Sequence, residues 1–188
     1  MKKLIITNMC LLVGITAFSQ TPEEMKAWQE NMTPGEQHKW LASMNGQWDA
    51  TVKMWMDPTS QEPNISKAST TNEMIMGGLY QRSSHSGNMM GQPFMGESIT
   101  GYDKAQKKFL ATWIDNFGSS IMFMEGEYNT KADNLTLEGK MIDPATGKEM
   151  HVKEVITKTS EDSHKFEMFI VENGKDLKNM EITYTRKK

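Results

Sequence analysis

From Gly46 onward the chain alternates apolar and polar residues with a period of two. The clearest stretch sets Trp48, Ala50, Val52, Met54 and Met56 against Asp49, Thr51 and Lys53, ends at Asp57-Pro58, and is broken only by Trp55. Side chains of an extended strand point to opposite faces in turn, so this pattern predicts strands with one buried face. The same period recurs in Leu135, Leu137, Gly139 and Met141; in Met150, Val152 and Ile156; in Phe166, Met168 and Ile170; and in Met180, Ile182 and Tyr184. These rows are expected to form a dry wall.

Turn-forming residues punctuate the strands about every ten positions: Gly77-Gly78, then 103–107, 129–134, 143–147, 160–163 and Asn173-Gly174. Short connections of this composition make antiparallel hairpins, whereas parallel strands need crossovers of a dozen or more residues. The reading is an all-β fold, an antiparallel up-and-down barrel of about ten strands, lipocalin-like, preceded by one or two short N-terminal helices. Closure removes the two open edges that a row of hairpins would leave. A two-sheet sandwich has the same alternation and stays open as the alternative.

Two helix starts precede the strands. Thr21-Pro22-Glu23-Glu24 and Thr33-Pro34-Gly35-Glu36 each offer a Thr N-cap, a Pro at the first helical position and a Glu at the third. Helices over 22–31 and 34–43 are expected, the second laying Trp40 and Leu41 against the body. Further upstream, Lys2 and Lys3 precede a mostly apolar stretch over 4–18, with Ala17 and Ser19 at the positions a signal peptidase reads. The domain reading is therefore a signal peptide over 1–19, a short helical segment over 20–43 and a barrel over 44–188. It implies an exported protein, periplasmic or secreted, with no stable membrane insertion after cleavage.

Cys10 is the single cysteine and lies in the leader, so stability must come from an apolar core and not from disulfides. The charge is mildly negative with both signs interspersed, which argues against nucleic acid and anionic membrane surfaces as partners. Nothing in the pattern fixes an oligomeric state.

Pairing across Gly77-Gly78 gives the register of the two strands it joins. Met76 pairs with Leu79, Met74 with Gln81, Asn72 with Ser83 and Thr70 with His85 on one face, while Glu73 and Arg82 form an ion pair on the other. The inner face thus passes from apolar Met74, Met76 and Leu79 into polar Thr70, Asn72, Gln81, Ser83 and His85. Such groups in a solid core would cost about 1 to 3 kcal/mol each if unpaired, so they suggest a cavity; a flat solvated edge is the competing account. The next strands add Tyr102 on one side and Trp113 with Asp115 on the other. The candidate ligand-binding set is Asn72, Gln81, Ser83, His85, Tyr102, Trp113 and Asp115, around a small apolar or amphipathic molecule. Asp115 serves equally well as a turn cap.

The chain resembles the bacterial family catalogued as domain of unknown function 1579. The resemblance rests on the 34–41 lead-in, Gly46-Gln47-Trp48, Pro93-Phe94 with Gly96, Gly101-Tyr102-Asp103, the 112–116 block, Asp143-Pro144 with Thr146-Gly147-Lys148, and the closing 180–184 block with Arg186. It implies a calycin-like barrel and no particular activity.

Other chemistries have weaker support. Met89, Met90 and Met95 with His85 form a candidate soft site for copper(I), although methionine is more often an adaptable filler. His38, His85, His151 and His164 show no zinc spacing, and no histidine stands out as a haem ligand. Phosphate loops, serine elbows and cysteine nucleophiles do not occur, so no cofactor is expected; a hydrolase or isomerase using Asp115 is the enzymatic alternative. A third reading makes the outer face, with Trp55 and Tyr80, a docking surface.

Overall fold

The computed structural model describes residues 21–56 and 62–188; the expected signal peptide over 1–19 lies outside the described residues. Two helices, α1 (Pro22–Asn31) and α2 (Glu36–Ser43), precede ten strands: β1 (Gly46–Met54), β2 (Asn64–Ile75), β3 (Tyr80–Met89), β4 (Gln92–Asp103), β5 (Lys108–Asp115), β6 (Met122–Asn129), β7 (Asn134–Ile142), β8 (Glu149–Ser160), β9 (Ser163–Glu172) and β10 (Lys175–Arg186). Each strand pairs antiparallel with its neighbours in sequence, and β1 pairs with β10 to close the barrel. The sandwich alternative is thereby excluded.

The alternation reads through into the barrel. Trp48, Ala50 and Val52 pair with Arg186, Tyr184 and Ile182 on one side and with Thr70, Ala68 and Ser66 on the other, all on the inner face. The expected register of β2 and β3 holds from Met74–Gln81 to Thr70–His85, and Arg82 Nε donates to Glu73 Oε1 at 3.0 Å outside. The turn itself differs from the two-residue hairpin expected. Residues 76–78 form a short 3-10 turn, with Met76 at φ 50° and Gly77 at φ 70°. Because this four-residue connection keeps the same pairing sum, the register survives, but Met76 leaves the inner face and is 73% exposed.

α1 begins as expected, with Thr21 and Glu24 in a reciprocal capping box. α2 begins later than Thr33. Its first turn is closed by His38, whose Nδ1 accepts from Gly35 N at 2.9 Å, while Thr33 Oγ1 donates to Gln29 O at the end of α1. The histidine thus takes the N3 role that the capping-box pattern gives to glutamate, while the N-cap is Gly35, which has no side chain to supply the threonine's half.

α2 closes one end of the barrel. Leu41 and Met44 pack with Phe109, Ala111, Met124, Leu135, Leu137 and Val152 in a continuous core. Around it the floor is clasped by polar groups: Trp48 Nε1 and Asn72 Nδ2 each donate to Met44 O at 3.0 Å, Gln81 Nε2 donates to Leu41 O at 2.6 Å, and Trp40 Nε1 donates to Asp133 Oδ1 at 3.0 Å. The first three of these donors satisfy carbonyls that the last turn of a helix leaves open.

Candidate functional site

Up-and-down connectivity sorts the turns by end. The connections at 76–79, 104–107, 130–133 and 161–162 lie with α2 at the floor; those after β3, β5, β7 and β9 lie at the opposite rim. Inward-facing residues change character between the two. Near the floor, Trp48, Thr70, Asn72, Gln81, Thr100, Phe109, Leu135, His164 and Tyr184 are buried. Toward the rim, inward residues such as Val52, Met54, Ser83, His85, Ser98, Trp113, Met122, Met150, Met168 and Ile182 are only half-buried. A solid interior would bury both groups alike, as protein cores are close-packed. Apart from Val152, which is buried on the rim half of β8, the gradient sets a packed floor beneath inward side chains that are partly accessible, the arrangement of a cup.

The β3–β5 wall carries an aromatic group. Trp113 lies edge-to-face with His85 at 5.2 Å and stacks with Phe94 at 6.3 Å. Its Nε1 donates to Asp115 Oδ2 at 2.7 Å, and Asp115 Oδ1 accepts from Phe117 N at 2.8 Å. Both Asp115 oxygens are therefore engaged, one orienting the indole and the other capping the rim turn. His85 Nδ1 lies 2.9 Å from Thr70 Oγ1, and burial depresses its pKa to about 4, so the ring is neutral at pH 7.

Toward the floor, His164 and Tyr184 stack with ring centres 4.3 Å apart, and Trp48 lies edge-to-face with the histidine at 4.4 Å. Burial, with Arg186 and His85 adding repulsion, lowers His164 to about 4, and its Nδ1 has no hydrogen-bond partner. Tyr184 is raised above the usual phenol range, first by burial and then by the charge of Glu154. Glu154 is the residue that sequence reasoning missed. It faces inward between Leu137 on β7 and Met168 on β9, is half-buried, and burial pushes its carboxyl up to about 7. No hydrogen bond or ion pair to it occurs among the described residues. The signal was present: Glu154 has the parity of Val152 and Ile156, so the expected dry wall of β8 contains a carboxylic acid.

The seven expected ligand residues separate into three groups. Ser83, His85, Trp113 and Asp115 come together on the β3–β5 wall. Asn72 and Gln81 lie beneath the cup, where their amides hold the end of α2. Tyr102 lies by the floor, 5.0 Å from Phe109 and 6.1 Å from His38 between ring centres.

The copper(I) cluster does not assemble. His85 pairs with Gly96 on the inner face, whereas Met95 pairs with Ser86 on the outer face and is 62% exposed, so the wall stands between them. No group of three or more His, Cys, Asp or Glu residues suited to a metal occurs among the described residues. Tyr80 is on the exterior, lying over Gly101. No helix among the described residues is long and apolar enough to cross a membrane.

The model of the family described as "Protein of unknown function (DUF1579)" matches residues 33–186. The chain belongs to this family. The DUF1579 match includes α2 and every strand, so the floor helix is part of the family unit. No curated protein matches the chain. Among solved structures, the crystal structure of Rv2717c from M. tuberculosis is similar at 13% identity and a TM-score of 0.62, covering 83% of this chain and all of that one, which shows a shared fold. A redesigned beta barrel aligns over 79% of this chain and 95% of its own, at 13% identity and a TM-score of 0.42.

Proposed function

We propose that this DUF1579 protein is an exported binding protein that holds a small, largely apolar molecule in the rim half of its barrel. The observation that carries the reading is the burial gradient: inward side chains are covered at the floor and half-open above it. Apolar lining with a few convergent polar groups is the usual character of a small-molecule site. Here the lining is Val52, Met122, Met168 and Ile182, and the polar groups are Ser83, Ser98, His85 and Glu154. The methionines suit ligands of variable shape, since an unbranched thioether repacks at low cost. Trp113, held by Asp115 and backed by Phe94, supplies a rigid flat surface. Export rests on the Lys2-Lys3 and 4–18 pattern at the N-terminus.

Soft-ionisation mass spectrometry of the protein isolated from its own cells tests this reading. The expected result is a stoichiometric small-molecule adduct that is lost or reduced in Trp113→Ala. A purely unliganded mass, together with no response of tryptophan fluorescence to a panel of apolar compounds, would overturn it.

A further inference from the structure

Resting on that binding reading, the interior chemistry narrows the class of ligand. A carboxylic acid placed between Leu137 and Met168 has no polar neighbour across either strand pairing. The titratable groups that face the same interior are Tyr184, His164 and His85, all of them neutral at pH 7. Cations are committed elsewhere. Lys158 Nζ donates to Glu161 Oε1 at 2.7 Å, and Arg186 donates to the carbonyls of Asn45, Ser43 and Glu161 at the floor. Lys165 and Lys178 pair with Glu167, whose neighbour across β8 is Val155 on the outer face. Among the described residues no side chain thus neutralises Glu154.

We propose that the cup is built for a cationic amphiphile, a molecule with an apolar body and one protonated nitrogen, whose ammonium pairs with Glu154. An ionised carboxylate in a low-dielectric site gains most from an opposite charge with N–H donors. Half-buried Phe166 shares β9 with Met168, and buried Tyr184 lies on the next strand, β10; aromatic faces also favour cations. A fatty-acid-like anion would meet the same carboxylate as a repulsive partner, so the site selects by charge as well as by shape. In the absence of ligand, burial favours the protonated form of Glu154, pushing its pKa up to about 7. Amine binding fixes the ionised form and releases that proton.

Calorimetric titration with octylamine, octanol and octanoate at pH 8.5 and pH 5.5 separates the possibilities. Octylamine is expected to bind tightest at pH 8.5 and about thirtyfold more weakly at pH 5.5, where roughly 3% of Glu154 is ionised. Glu154→Gln, checked for folding by its thermal transition, should lose that pH dependence and bind octylamine no better than octanol. If octanol and octanoate bind as well as octylamine, or Glu154→Gln leaves octylamine binding unchanged, the charge selectivity is wrong while the cavity stands. If none of the three binds, the cavity reading fails with it.

Discussion

Trp113 lies directly over Gly96 on the neighbouring strand, so close that a Cβ on Gly96 would meet its Cη2 and Cζ2 atoms at 2.6 Å. The same Cβ would lie 3.2 Å from Phe94. The absent side chain is thus part of the site, because it lets a large indole lie flat against the wall and leave the cup open. Asp115 sits opposite Gly96 in the register and holds the indole N–H from the other side.

Gly96→Ala should therefore displace the Trp113 ring toward the cavity. Overpacking of this kind costs about 1 to 3 kcal/mol. Urea denaturation should show that loss, and titration of an apolar probe such as octanol should show weaker binding. Unchanged stability and affinity would mean that the indole is free to move.

Closure of the floor depends on Leu41, 2% exposed at the centre of the α2 contact. Leu41→Ala should cost about 2 to 5 kcal/mol by loss of transfer energy and creation of a cavity. Hydrogen exchange should rise first in α2 and in the floor ends of β5 to β8. The opposite change at the rim, Met150→Ala, removes a half-buried side chain and should cost less than half as much.

Stability should depend on pH in two opposed ways. Glu154 has a folded pKa of about 7 against an ordinary 4.5. The unfolded chain therefore sheds its proton first, and stability falls as pH rises from about 4.5 to 7, by about 3 kcal/mol in all. His85 and His164, at about 4 against 6.5, act in the other direction: their contribution is full above pH 6.5 and declines as pH falls toward 4. Two histidines outweigh one carboxyl below pH 6.5, so stability should peak at about pH 6.5. Denaturation of wild type and Glu154→Gln across this range checks the sign, because the variant's stability should rise more steeply than that of wild type up to about pH 6.5 and should not fall again above it. Parallel curves would contradict the interior placement of Glu154.

Arg186 latches the last strand to the first. Its guanidinium stacks over Trp48 at 4.1 Å and donates from Nη2 to Ser43 O at 3.2 Å, with Nη1 bonded to Asn45 O. Gly46 has φ 119° and leaves room for this reach, since a Cβ there would lie 2.8 Å from Nη1. Arg186→Lys keeps the charge but loses the planar fork, so it should recover little of the loss expected for Arg186→Ala, about 1 to 3 kcal/mol. Thermal melts of the two variants distinguish a latch from a mere surface charge.

Period-two alternation made the strands, their inner faces and the β2–β3 register legible in the sequence, because a slip of one residue would turn every apolar side chain to water. Turn geometry was less legible. Met76 has positive φ, which non-glycine residues seldom adopt, so its departure from the inner face could not be read from the Gly77-Gly78 pair. Asn72 and Gln81 were recognisably polar and inward, yet only tertiary structure shows that they meet the carbonyls of α2. Glu154 was concealed differently: grouping β8 by its apolar members passed over the polar one of the same parity. His38 as the cap of α2 carries no common sequence signature.

Xenon pressurisation of a crystal tests the hollow interior most directly, since xenon occupies apolar space that side chains do not fill. The account predicts xenon density inside the rim half of the barrel, against Trp113, Met168 and Ile182, and none beneath α2. A fully packed interior that admits no xenon, or the side chains of Ser83, His85 and Trp113 turned out to bulk solvent, would contradict it.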